Sequence, residues 1–219
     1  MTILLVGCGT RPNQVETQNV PSAKPDRVNP EAAEKDTRPI VAAFGDSISA
    51  GFGVEAGKSF PDDLQRLIDA AGYRYRVVNL GVSGDTTTDG LERLPALLAI
   101  HPSIVILELG GNDGLRGLPV ASAEKNLAAM IEALQKDRAR ILLAGMTLPR
   151  NYGPEYIQSF DNIYTDLASR YQIARIPFLL DGVGGHPDLM QPDGIHPTAE
   201  GSQIVARNVF KYLRHILSK

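Results

Sequence analysis

The regular alternation of short apolar runs with amphipathic segments limits what this chain can fold into. Five runs are apolar on both faces, as is typical of strands buried within a parallel sheet. They cover residues 39–44, 75–80, 104–109, 141–145 and 173–178. Because these runs alternate with helical patterns, the sequence predicts a three-layer α/β/α sandwich. Its five-stranded parallel sheet would have a flavodoxin-like arrangement.

The intervening segments carry apolar residues at helical spacing. One helical pattern follows Ser59, a suitable N-cap, and ends at Gly72; another starts at Asp85 or Thr86. The remaining helices are predicted at residues 121–135, 155–171 and 197–217. Each of these segments can cover a face of the sheet.

The first 38 residues differ in composition from the rest. They contain four prolines, no aromatic residue and equal numbers of acidic and basic side chains. Such a segment buries too little apolar surface to offset the entropy lost on ordering. We therefore expect a signal-like and linker segment over residues 1–38, followed by one folded domain over residues 39–219.

A single cysteine, Cys8, lies near the start of that segment. The residues Leu5-Val6-Gly7-Cys8 resemble the lipobox of bacterial lipoproteins, in which the cysteine is lipidated. The apolar run before it is shorter than the roughly 7–15 residues of a working signal, and no basic region precedes it. A start codon assigned too late would account for this, and an incidental cysteine is the alternative. The resemblance predicts lipidation of Cys8 and a place in the bacterial cell envelope, periplasmic or lipid-anchored.

Charge and composition argue against several classes of function. The net charge is −3 and no run is rich in Lys or Arg, so we expect no nucleic-acid partner. One cysteine cannot form a disulfide within the chain. His101, His186 and His215 lack metal-ligand spacing, and we expect neither a metal nor a cofactor.

Four short polar blocks follow predicted strands or precede the last helix, and ligands of such folds bind at the carboxyl ends of strands. In the first block, Gly45 permits a tight turn and Ser47 falls at or near a helix start, where free N–H groups favour a developing oxyanion. The second block contains Gly84, which has no side chain to keep a substrate oxygen away from its backbone N–H. The third contains Asn112, whose amide is a donor of the type used in oxyanion holes. Taken singly, each block is equally explained as an ordinary cap or turn.

The fourth block pairs a carboxylate with an imidazole. Asp193 and His196 are three residues apart in a turn made tight by Gly194. That spacing lets the carboxylate hold one ring nitrogen while the other faces a nucleophile. Alone, such a pair is more often a surface hydrogen bond or a cap.

Together the four blocks resemble the SGNH (GDSL-type) hydrolase family over about residues 39–217. The most distinctive stretches, residues 110–117 and 193–197, are similar to the bacterial lysophospholipase/thioesterase/arylesterase branch. The resemblance implies a serine esterase that cleaves acyl esters and thioesters through an acyl-serine intermediate. Ser47 would be the nucleophile, His196 its base and Asp193 the orienting carboxylate. The N–H groups of Ser47 and Gly84 and the amide of Asn112 would form the oxyanion hole.

Substrate preference is less constrained by the sequence. Loops at residues 113–120 and 146–156 should border an acyl groove, with ordinary loop packing as the alternative. The candidate contacts are Leu115, Leu118, Tyr152 and Pro154. A carbohydrate O-deacetylase and a catalytically silent protein that binds acylated ligands are the competing hypotheses.

Overall fold

A parallel five-stranded sheet forms the centre of the folded part of the chain. The computed structural model describes residues 36–218. The strands are β1 (Ile40–Gly45), β2 (Arg76–Asn79), β3 (Ile104–Glu108), β4 (Arg140–Ala144) and β5 (Ala174–Ile176). Their order is β2-β1-β3-β4-β5 and every pairing is parallel. The predicted sheet is confirmed, although both edge strands are shorter than expected.

Helices cover both faces of this sheet. They are α1 (Ser47–Ala50), α2 (Phe60–Ala70), α3 (Thr87–Leu98), α4 (Gly111–Leu115), α5 (Val120–Lys136), α6 (Pro154–Tyr171) and α7 (Ala199–Leu213), with a 3₁₀ turn at Arg150–Tyr152. One pair, α2 and α7, packs together, while α5 packs against both α3 and α6. These packed groups are the two outer layers of the predicted α/β/α sandwich.

Side-chain caps determine where two of the long helices begin. The Ser59 N–H and hydroxyl both donate to Asp62 at the start of α2, at 3.0 and 2.5 Å. Thr86 and Asp89 form a similar capping box before α3. Reciprocal bonds of this kind satisfy N–H groups that have no partner in the helix.

The structure corrects the sequence interpretation at the two ends of α7 and at two short helices. The closing helix spans Ala199–Leu213 rather than 197–217, because the Thr198 side chain caps its first turn. The short helix α1 starts at Ser47, where the sequence predicts a helix start, but its end at Ala50 and the short helix α4 were not predicted. Both helices contain too few residues to show helical periodicity.

Two of the interior strands, β1 and β3, are buried along their whole length. Every residue of β1 and β3 is buried, whereas β2 is half-buried and only Ile176 of β5 is fully enclosed. The predicted linker and Cys8 lie outside the described residues, except for residues 36–38 at the end of the linker.

Candidate active site

The four polar blocks meet at the carboxyl edge of the sheet. The first three blocks follow β1, β2 and β3, which are adjacent in the sheet. The fourth precedes α7, and its His196 ring reaches the Ser47 hydroxyl. Parallel topology therefore gathers residues that are up to 149 positions apart in sequence.

Ser47, His196 and Asp193 form a continuous chain of polar contacts. His196 Nε2 lies 2.8 Å from Ser47 Oγ, and His196 Nδ1 lies 2.7 Å from Asp193 Oδ2. A carboxylate on Nδ1 favours the tautomer whose Nε2 is free to accept the serine proton. This geometry suits activation of a serine nucleophile.

The Asp193 carboxylate is held in its charged form by its own turn. Its Oδ1 accepts the backbone N–H groups of Ile195 and His196 at 2.9 and 3.0 Å. Partial burial raises the pKa of Asp193, but these bonds and the His196 ring outweigh it and lower the pKa to about 2. The carboxylate thus stays ionised across neutral and mildly acidic pH.

Ser47 is the first residue of α1, so its backbone N–H has no carbonyl partner within that helix. The N-cap Asp46 accepts the Ile48 N–H at 3.0 Å. Within residues 36–218, the N–H groups of Ser47 and Gly84 donate to no protein acceptor. Of these two residues, Ser47 also lines the cavity described below.

The third candidate donor, Asn112, already has acceptors in the resting site. Its Nδ2 donates to the Asp85 carbonyl at 2.9 Å and to Asp46 Oδ2 at 3.2 Å. These bonds fix the plane of the amide next to Ser47. Both acceptors of the Asn112 amide therefore come from the protein in this structure.

A buried carboxyl group behind Ser47 was missed from the sequence. Glu108 ends β3, is fully buried, and accepts the Asp46 N–H, the Ser49 N–H and the Ser49 hydroxyl at 3.1, 3.2 and 2.6 Å. A side-chain carbon at Gly45 would lie 2.1 Å from Glu108 Oε2, so only glycine fits opposite it. The clue in the sequence is an acidic residue inside an otherwise apolar strand.

Burial and mutual proximity raise the pKa values of two carboxyl groups, Glu108 and Asp46, behind Ser47. Burial, together with the negative charge of Asp46, raises the pKa of Glu108 well above its ordinary range. Burial raises the pKa of Asp46 to about 6, although hydrogen bonds from Ile48 and Glu108 act in the opposite direction.

Arg93 joins the first two blocks beneath the site. Its guanidinium donates to the Asp85 carboxylate at 2.5 Å, to the Leu80 carbonyl at 2.9 Å and to the Gly45 carbonyl at 3.0 Å. It also lies over the Phe44 ring, 4.4 Å from the ring centroid. This one side chain sets the Gly84 loop against the Ser47 turn.

An apolar cavity of about 520 Å³ opens beside the Ser47 hydroxyl. Its apolar wall comes from the segments after β4 and β5 and includes Met146, Leu148, Phe178, Leu180 and Met190. Such a cavity accommodates a hydrocarbon chain better than a sugar, because its wall offers few hydrogen-bonding groups.

Of the four predicted substrate contacts, Leu115 lines this cavity. Leu118, Tyr152 and Pro154 lie on the bordering loops but are not among the residues lining it, and their role in substrate binding stays a prediction. The Tyr152 hydroxyl donates to the Leu115 carbonyl at 2.7 Å, which ties the two loops together.

Metal binding and membrane spanning find no support in residues 36–218. That part of the chain contains no cluster of three or more His, Cys, Asp or Glu side chains able to hold a metal ion. None of its helices is long and apolar enough to cross a membrane.

Comparison with known proteins identifies the same region as a family domain. Residues 43–204 match the GDSL-like lipase/acylhydrolase family. The esterase TesA of Pseudomonas aeruginosa is 46% identical over 174 residues, covering 79% of this chain and 87% of the relative. An arylesterase of Vibrio mimicus is 39% identical over 175 residues, covering 78% and 88%. Thioesterase 1/protease 1/lysophospholipase L1 of Escherichia coli is 39% identical over 188 residues, covering 85% and 88%.

Solved structures agree with these matches. The crystal structure of TesA superposes with a TM-score of 0.79 at 45% identity, covering 81% of this chain and 99% of that one. AlinE4, described as an SGNH-hydrolase family esterase, gives a TM-score of 0.69 at 41% identity, covering 83% and 98%.

Proposed function

This chain belongs to the GDSL-like lipase/acylhydrolase family and is a carboxylic ester hydrolase, and from that premise we propose that Ser47, His196 and Asp193 carry out the hydrolysis. The resemblance to SGNH hydrolases is thereby confirmed. The observation that supports the assignment of residues is the pair of contacts at 2.8 and 2.7 Å that joins the three side chains beside an apolar cavity.

The first half of the reaction acylates the serine. Ser47 Oγ attacks the substrate carbonyl carbon while His196 Nε2 takes the hydroxyl proton. The N–H groups of Ser47 and Gly84 and the Asn112 amide stabilise the negative oxygen of the tetrahedral intermediate. The bond to the leaving oxygen or sulfur then breaks, and His196 returns its proton to the departing group.

The second half releases the acid. His196 takes a proton from water, the resulting hydroxide adds to the acyl carbon, and a second tetrahedral intermediate forms in the same oxyanion hole. Collapse of that intermediate breaks the bond to Ser47 Oγ, which recovers its proton from His196. Asp193 stays ionised throughout and stabilises the charged imidazole, in keeping with its lowered pKa.

The proposed substrates are aryl esters, acyl thioesters and lysophospholipids with medium or long acyl chains. The named relatives include an arylesterase, a thioesterase and a lysophospholipase. The apolar cavity of about 520 Å³ supports acyl groups larger than acetyl. The wall formed by Met146, Leu148, Phe178, Leu180 and Met190 would hold the chain.

Hydrolysis of p-nitrophenyl esters from acetyl to long-chain acyl tests this function. We expect kcat/KM to rise beyond acetyl and to be lost in Ser47→Ala, with cleavage of an acyl-CoA and a lysophospholipid by the same preparation. Activity confined to acetyl esters would favour the carbohydrate O-deacetylase. Activity that survives Ser47→Ala would contradict the assignment of the nucleophile.

The proposed location is the bacterial cell envelope, with Cys8 as a lipid tether. The support is the lipobox-like stretch and the linker composition of residues 1–38. Mass spectrometry of the protein from its native host should find a diacylglyceryl-modified N-terminal cysteine in the membrane fraction. An unmodified Cys8 thiol in a membrane-free extract would contradict the tether.

A further inference from the structure

Phe52 combines high exposure with contact to the catalytic histidine. Its side chain is 51% exposed, the largest value among the large hydrophobic residues that are exposed in the described part of the chain. Its ring centroid lies 4.6 Å from that of His196, with the ring planes tilted by 40°. An aromatic face left open to solvent beside a proton-transferring group is available to a substrate.

The position of Phe52 is fixed from both sides of the site. Its backbone N–H donates to the Ser47 carbonyl at 3.0 Å, and its carbonyl accepts the Gln191 side-chain amide at 2.7 Å. The Gln191 backbone N–H in turn donates to the His196 carbonyl at 2.7 Å. The backbone of Phe52 is therefore held in place relative to both Ser47 and His196.

Phe52 does not line the apolar cavity, whereas the neighbouring Ile195 and His196 do. An ester carbon bonded to Ser47 Oγ carries three other groups. In the proposed mechanism, the oxyanion points to Gly84 and Asn112 and the acyl chain enters the cavity. The leaving group must lie near His196 Nε2, which protonates it, and Phe52 is the exposed aromatic side chain in contact with that imidazole.

We propose that Phe52 forms the wall of a leaving-group subsite that prefers aromatic alcohols and thiols. The inference rests on the proposed acyl-serine mechanism and adds a determinant of specificity to it. A second exposed apolar side chain, Val82, belongs to the loop that packs against α1, where Gly81 closely approaches Ala50. A flat ring stacked on Phe52 gains an aromatic contact that a short alkyl group lacks.

The contact between Phe52 and the leaving group affects the acylation step alone. In that step the carbon–oxygen or carbon–sulfur bond to the leaving group breaks, and the departing atom takes the proton from His196. Phenyl butanoate and ethyl butanoate therefore give the same butanoyl-Ser47 intermediate. The ratio of their kcat/KM values reports the leaving-group subsite, while deacylation is common to both.

The test compares these two esters in the wild type, Phe52→Ala and Phe52→Tyr. In Phe52→Ala we expect kcat/KM for the phenyl ester to fall about 3- to 10-fold, with the ethyl ester within about twofold of wild type. Phe52→Tyr should restore the phenyl preference. Inactivation by an ethyl fluorophosphonate, whose leaving group is fluoride, should keep its wild-type rate in Phe52→Ala and so report an intact Ser47–His196 pair.

Ile195→Ala is the matched control, because Ile195 is also exposed and adjoins His196 but lines the acyl cavity. This substitution should change kcat/KM for both butanoate esters by the same factor. Equal losses for both esters in Phe52→Ala, or no loss for either, would overturn the subsite. A wild-type protein inactive on both esters would instead contradict the proposed function.

Discussion

The two walls of the active site are built by opposite means. The wall that carries Ser47 is buried: Asp46, Ser47 and Glu108 lie at strand ends and are held by bonds that cross from β3 to α1. The wall that carries His196 is a turn in which Asp193 and Ile195 are exposed, and its carboxylate is held by N–H groups of the same turn. We therefore expect substitutions in the buried wall to lower both the free energy of unfolding and the activity. Substitutions in the exposed turn should lower the activity alone.

Among substitutions that leave the nucleophile in place, the largest effect should come from Asp193→Asn in the exposed wall. The amide cannot stabilise the imidazolium and favours the wrong tautomer, so kcat/KM should fall about 10³- to 10⁴-fold. The melting temperature should stay within about 2 °C, because the turn buries little surface. Steady-state kinetics and a thermal melt measure both, with Asp188→Asn, another exposed aspartate before α7, as the matched control. A large drop in the melting temperature of Asp193→Asn would contradict the claim that the exposed turn contributes to activity but little to stability.

Asn112→Ala should come next, with a fall in kcat of about 10²- to 10³-fold and weak activity retained. The residual activity is expected because the two backbone donors of Ser47 and Gly84 remain. Acylation rates measured by stopped flow would check this. A loss as complete as that of Ser47→Ala would mean that Asn112 does more than donate to the oxyanion.

In the buried wall, Glu108→Leu should cost about 2–5 kcal/mol of unfolding free energy. It leaves the Asp46 and Ser49 N–H groups buried without an acceptor, at about 1–3 kcal/mol each. Glu108→Gln keeps the shape and an oxygen that can accept the Asp46 and Ser49 bonds, so it should cost less than about 1 kcal/mol. Denaturant unfolding distinguishes the two variants; equal destabilisation would contradict the role of Glu108 as the acceptor of these bonds.

The smallest effect should be a pH dependence of stability that originates in these two carboxyl groups, Glu108 and Asp46. Groups whose pKa is raised in the folded state bind more protons folded than unfolded, so their contribution is present at low pH and lost as pH rises. For Glu108 and Asp46, the wild type should lose on the order of 1 kcal/mol more than Glu108→Gln between pH 5 and 8. Unfolding curves at several pH values test this, and parallel profiles for the two proteins would count against the raised pKa of Glu108.

The sequence predicted the sheet, the five long helices and the residues that meet at its carboxyl edge. It could do so because buried parallel strands appear as apolar runs and amphipathic helices as apolar residues at helical spacing. The carboxyl ends of parallel strands also lie at one edge of the sheet. Ser47, Asn112 and His196 were recognisable as polar residues immediately after strands or before a helix.

The rest depends on contacts between segments far apart in the chain. Glu108 is an acceptor for α1 only because the register of β1 and β3 sets it opposite Gly45. Phe52 contacts His196 through a loop closure that spans more than 140 positions. No local pattern encodes either contact, and the 520 Å³ cavity is likewise a product of packing between loops.

The central claim is that Ser47 becomes acylated during turnover. The most direct measurement mixes the enzyme with p-nitrophenyl decanoate, quenches in acid within the burst, and maps the acyl group by peptide mass spectrometry. The account predicts a burst near one p-nitrophenolate per active site and a decanoyl group on Ser47, both absent from Ser47→Ala. An acyl group on another residue, or a full burst in Ser47→Ala, would contradict it.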